Sequence, residues 1–225
     1  MGATQAPLSG TETVFIGLVV CAVIIPSLTW PLVQHFQVMA HEGMHGIIGS
    51  LLSGHEVEWI ELNGAAEGAT RIVPASGPGF LVAAFAGYLG PSVFGLGAAR
   101  LIQFGHIIPV LWAVMLLLGL LLVMLKRSFG FITVPLAGFV IFLVLKHLSQ
   151  TAEVIAGYAI TWFLLLSGVR IVLQRGANAG DAGILRGGTS IPRLVWFALW
   201  LAGTLAAVVI GARWMLHPAV RPPSR

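Results

Sequence analysis

Pro31 to Leu52, PLVQHFQVMAHEGMHGIIGSLL, carries the pentapeptide His41-Glu42-Gly43-Met44-His45 inside a run otherwise apolar enough to cross a bilayer. Read as HExxH on a helix, it sets two imidazoles one turn apart on one face, the spacing that lets both reach a single Zn²⁺. Glu42, next to the first of them, is placed to take a proton from a water activated by that ion. Ionisable groups at membrane depth are costly, so the cluster is a functional-site candidate by position alone. A polar knot joining neighbouring helices is the competing reading.

The rest of the chain supplies the membrane. Of 225 residues 57% are hydrophobic and 9% charged, and mean hydropathy is +0.95. Soluble domains carry about 25% charged residues, so composition excludes a free-standing soluble protein. The expectation is an all-α polytopic membrane protein of about six to seven transmembrane helices. It forms a single domain over residues 1–225, with a short N-terminal tail (1–12) and a C-terminal tail (217–225). Spans are placed at Val14–Trp30, Pro31–Leu52, Phe80–Leu96, Ile107–Leu125, Phe131–Leu145, Val154–Leu173 and Leu194–Met215. The first two, separated by almost no chain and disturbed by Pro26 and Pro31, should form a tight hairpin. The N-terminus lacks Lys and Arg and makes a poor secretory signal, so the first run is read as a retained anchor.

Two segments break the helical pattern. His55 to Pro74 alternates apolar residues and contains Asn63-Gly64, which reads as a small β-hairpin after the motif helix. Gln174 to Arg193, rich in Gly and Arg, holds Asp181, the one aspartate in the chain. A net charge of +4 is spread over helix ends as topology and snorkelling signals, not as a nucleic-acid surface. With seven spans, Arg71, Lys126, Arg127, Arg170, Arg175, Arg186 and Arg193 share the side of the N-terminus. Arg100, Lys146, Arg213, Arg221 and Arg225 fall on the other. That bias favours a cytoplasmic N-terminus, with hairpin and Asp181 loop on the same side.

A catalytic zinc keeps three protein ligands and one open position. Cys21 is the sole cysteine, so no thiolate cage and no intrachain disulfide is available, and the acids number eight. Asp181, flanked by Gly180, Ala182 and Gly183, is the preferred third ligand; as an alternative it caps a short helix at Ala182–Leu185. Glu153 is the runner-up. His35 lies off the motif face, and His55, His106 and His217 read as interfacial.

HEGMH in an early span, Gly87-Tyr88-Leu89-Gly90-Pro91 in the next, and Gly180-Asp181-Ala182 before the last carry a resemblance over about Val14 to Met215. The chain resembles the site-2 protease family of intramembrane zinc metalloproteases, in particular its short members without a PDZ domain. That resemblance implies His41, His45 and a late aspartate as zinc ligands and Glu42 as catalytic base. It implies a multi-pass protein of the cell (plasma) membrane, embedded in the lipid bilayer. The expected activity is a zinc metalloendopeptidase hydrolysing peptide bonds in or near a transmembrane segment of a membrane-protein substrate. Well-studied members set that aspartate in Asn-Pro/Leu-Asp-Gly, whereas this chain has Asn178-Ala179-Gly180-Asp181-Ala182. Two other classes stay open: a catalytically silent scaffold of the same fold that binds a membrane partner, and a metal transporter. One clear polar layer along the spans argues against transport. The glycines of Gly87–Pro91 and Tyr88 are explained by close helix packing, with Tyr88 as an oxyanion donor the less favoured role. The polar loop from Ser53 to Gly77 is a candidate lining for a water path, and an exposed hairpin edge could hold substrate extended.

Overall fold

The protein, represented by a computed structural model, is described over residues 4–52, 54–64, 67–126 and 128–220; Ser53, Arg127, Arg221 and Arg225 lie outside that set. Its elements are α1 (Gly10–Ile24), α2 (Trp30–Leu51), β1 (Glu56–Leu62), β2 (Gly68–Val73), α3 (Gly77–Gln103), α4 (Ile107–Met124), α5 (Gly130–His147), α6 (Gln150–Arg175), α7 (Gly180–Thr189) and α8 (Arg193–Leu216), with a 3₁₀ turn at Gly176–Asn178. Among the described residues, α3, α4, α5, α6 extended by its 3₁₀ turn, and α8 are long and apolar enough to cross a membrane; α1 is apolar but shorter.

The first helix starts earlier than hydropathy suggests, because Ser9 and Glu12 form a capping box. The Ser9 backbone N–H donates to Glu12 Oε2 at 2.8 Å, and the Glu12 N–H donates to Ser9 Oγ at 3.2 Å. It stops at Ile24, two residues before Pro26, and α2 begins at Trp30 with Pro31 in its first turn, where the missing N–H costs nothing.

The expected tight hairpin of these two helices does not form. In α1, Gly17 packs on the Trp162 ring, Trp162 Nε1 donates to the Thr13 carbonyl at 3.0 Å, and Arg170 Nε donates to the Ile24 carbonyl at 3.3 Å. So α1 runs parallel to α6. In turn α2 runs antiparallel to α3: Gly90 packs on Met44 and the Ala40 carbonyl, and His45 bonds to Ala83. Together α1 and α2 pass between the two ends of the bundle once, not twice.

This overturns the expected placement of the N-terminus beside the hairpin. The Gln5 N–H donates to the Gly105 carbonyl at 2.8 Å, Gln5 Oε1 accepts from the N–H groups of Ile107 and Ile108, and the Ala219 N–H donates to the Gln103 carbonyl at 2.8 Å. Both tails therefore sit on the α3–α4 turn, at the end remote from the hairpin. Arg71, Lys126, Arg175, Arg186 and Arg193 stay at the hairpin end, against Arg100, Lys146 and Arg213 at the tail end. The larger share of these positive charges thus lies with the hairpin end and not with the N-terminus.

The hairpin itself forms where alternation placed it. β1 and β2 pair antiparallel, Glu56 opposite Val73 through Leu62 opposite Gly68, with an irregularity between Val57 and Trp59. Ile60, Leu62 and Ile72 are buried, and Ile60 and Leu62 join a small core with Val38 and Met39 of α2, Leu121 of α4 and Val134 of α5. The far edge of β1 is covered by Leu125, and the Lys126 N–H donates to the Ile60 carbonyl at 2.9 Å. Among the described residues β2 pairs with β1 alone.

Candidate metal centre

Positions 41 and 45 are one turn apart on α2, so both imidazoles project from the same face toward α3. That helix comes within contact distance because position 87 is glycine: a Cβ there would overlap His45 Nε2 and press on His41 Cε1. The His45 Nδ1–H donates to the Ala83 carbonyl at 2.7 Å, which leaves the lone pair of a neutral ring on Nε2. His41 packs edge-on against the buried Tyr88 ring, centroids 4.7 Å apart, and Tyr88 stacks at 4.5 Å on Trp200. The tyrosine is thus a wall of the site, as packing alone predicts.

Asp181 arrives from the other end of the sequence. α6 ends at Arg175, Gly176 with its positive φ of 57° turns the chain into the 3₁₀ segment, and α7 starts at Gly180. Ala179 and Ala182 are buried and seat that helix, so Asp181 in its first turn faces α2. Its Oδ2 lies 3.3 Å from His41 Nε2 and 3.4 Å from His45 Nε2, and the two nitrogens are 3.1 Å apart. The capping alternative fails, since the N-cap position is Ala179 and the carboxylate is turned to the histidines.

Among the described residues, His41, His45 and Asp181 form a group able to hold one ion. A tetrahedral ion with contacts of about 2.0–2.1 Å spaces its ligands about 3.3 Å apart, close to all three edges of this triangle. The Asp181 Oδ2 is buried without a hydrogen bond, an orphaned anionic oxygen beside two imidazole nitrogens. Such a convergence of lone pairs is repulsive unless a cation or protons sit among them. The donor set of two imidazoles and a carboxylate suits zinc. Glu153, the runner-up, is in the first turn of α6, eighteen residues and about 27 Å of helix before Ile171, which borders the site. His35 packs near Phe129, and His55 bonds to the Ser76 carbonyl beyond the hairpin.

Glu42 is buried beside the triangle, Oε1 4.0 Å from His41 Nε2. Thr70 Oγ1 of β2 donates to Glu42 Oε2 at 2.7 Å, and Gly68 comes so close that a Cβ would run into the Glu42 side chain. The hairpin thus folds back over the catalytic candidate, and Gly68 and Thr70 become site residues. Nothing in the sequence marks them: their role comes from where the strand lands on α2.

A cleft of about 450 Å³ opens over the cluster, bordered by β2 on one side and by α3, the end of α6 and α7 on the other. At its mouth Arg175 of α6 faces Glu67 at 3.9 Å. Replacing Gly87 by alanine should separate two effects. Alanine favours a helix interior by roughly 0.5–1 kcal/mol, but its methyl would overlap the buried His45 ring, and overpacking of that kind costs about 1–3 kcal/mol, so the metal-free fold should weaken slightly. The new methyl displaces His45, so zinc affinity should drop, by about the 10–100-fold typical of a disturbed ligand orientation. Thermal melts with and without zinc check both.

The model of the Peptidase M50B-like family matches residues 14–211. No curated protein and no solved structure matches the chain.

Proposed function

Because the chain belongs to the Peptidase M50B-like family, a site-2 protease family, we propose that it is a zinc metalloendopeptidase cutting peptide bonds in or near the membrane-spanning segment of another protein. The family is one of membrane metallopeptidases, and five long apolar helices agree with a multi-pass membrane protein. The observation that carries the reading is the convergence of His41 Nε2, His45 Nε2 and Asp181 Oδ2 beside the Glu42 carboxylate.

Zinc held by those three residues supplies Lewis acidity to polarise a peptide carbonyl and to acidify water. Glu42 takes the proton of the attacking water and returns it to the leaving amine. Thr70 holds one Glu42 oxygen, which fixes the carboxylate and leaves the other oxygen toward the histidines. Burial of Glu42 and His45 excludes bulk water from the reacting groups, while the cleft under β2 admits solvent from the hairpin end. The outer edge of β2 can pair with an extended segment by strand addition. A helix must unwind to be cut, and β2 offers its backbone the hydrogen bonds lost in unwinding.

The test is cleavage in proteoliposomes that carry the full chain with single-span membrane proteins. Expected is cleavage within or next to the span, abolished by a zinc chelator and restored by added zinc. Zinc-loaded protein that cuts none of a broad panel, while its partners co-purify intact, sinks the protease in favour of a scaffold.

A further inference from the structure

On the metal reading above, both histidines coordinate through Nε2, so each must carry its proton on Nδ1. For His45 the Ala83 carbonyl takes that proton at 2.7 Å. For His41 nothing does: its Nδ1 is buried and has no hydrogen-bond partner. Ligating histidines almost always give this second N–H to an acceptor, which sets ring orientation and basicity. One half of the pair is complete and the other is open.

One turn before His41 on the same face of α2 stands Gln37, which also borders the cleft. It is 1% exposed, and both its Oε1 and its Nε2 are buried without a partner. A glutamine amide so enclosed is expensive unless it is satisfied. Helical side chains lean toward the N-terminus, so the His41 ring lies over the turn that begins at Gln37. The other orphan on this face, Trp30 Nε1, is a donor and cannot accept a proton from His41.

We infer that Gln37 is the positioning residue of the metal centre: its side-chain carbonyl accepts the His41 Nδ1 proton when zinc is held. That one bond would satisfy the Gln37 Oε1 and the His41 Nδ1 together. The His41 ring is then locked with Nε2 toward Asp181, as Ala83 locks His45. Gln37 touches neither substrate nor ion and acts through His41 alone.

The experiment is a competitive zinc titration of the full chain in detergent or nanodiscs, with the metal-free melting point recorded beside it. Gln37→Met keeps length and helix preference but removes the acceptor. It should bind zinc about 10–100-fold more weakly, with a metal-free melting point equal to or above that of the unaltered chain. Gln37→Glu, which restores an acceptor, should bind within a few-fold of the unaltered chain. With Co²⁺ in place of zinc, Gln37→Met should shift the visible absorption bands and Gln37→Glu should not. Equal zinc affinity of Gln37→Met and the unaltered chain overturns this role and leaves the metal centre standing. Failure of the unaltered chain to bind zinc overturns both.

Discussion

Glu42→Gln should lower the rate of peptide cleavage by about 10²–10⁴-fold, the usual worth of a positioned general acid–base group, and leave zinc content unchanged. The amide has the size of the carboxylate, and its oxygen can still accept the Thr70 hydroxyl that now sits 2.7 Å from Oε2. Packing against Gly68 is likewise preserved, so the hairpin has no reason to move. What disappears is the ability to take a proton beside His41. Glu42 is not one of the three atoms that converge on the ion position, so metal binding should persist. The measurement is an initial cleavage rate in proteoliposomes, with zinc per chain by elemental analysis of the same sample. A variant that cuts at the unaltered rate removes Glu42 as base, whatever its zinc. A variant that has lost both zinc and activity shows a structural role for the carboxylate instead.

The parts of this molecule that were legible in advance are those encoded locally. HEGMH needs only that α2 be helical to bring two imidazoles together. The hairpin is announced by alternation and by Asn63-Gly64, and its strands fall inside the expected His55–Pro74 stretch. Long apolar runs mark α3 to α6 and α8, although α3 extends past both expected ends, to Gly77 and Gln103. Direction is a different matter. Pro26 and Pro31 interrupt a helix, but hydropathy does not say whether the chain then reverses or continues. Here it continues, because α1 finds its partner in Trp162 of α6, about 150 residues later. The N-terminus lies at the end opposite to the expected one for that reason. Thr70, Gly68 and Gln37 share the same limit: a threonine in a strand or a glutamine in a helix acquires meaning only from what folds against it. Gly87 stood out as a small residue for packing, and the thing it packs against turns out to be the histidine pair.

Asp181→Ala should bind zinc far more weakly than the about 10–100-fold cost of losing an outer hydrogen-bond partner, since an ion with two protein ligands lacks the third that holds a catalytic site. Asp181 lies 136 positions after His45, in a setting unlike that of the well-studied family members, so no local pattern ties it to the motif. Its role depends on the turn at Gly176 and on the burial of Ala179 and Ala182, which bring the first turn of α7 onto α2. Those anchors are untouched by the substitution. Removing a first-turn acid costs a helix only about 0.3–1 kcal/mol, so α7 should stay folded. Loss of the carboxylate also removes its ion pairs with His41 and His45, so the metal-free protein should be somewhat less stable. The expected signature is therefore a metal-free melting point modestly lowered, together with loss of the zinc-dependent rise in melting point and loss of cleavage. Glu153→Ala, at the opposite end of α6, should keep zinc and activity intact. If instead Asp181→Ala holds zinc as tightly as the unaltered chain, the carboxylate facing His41 and His45 is not a ligand.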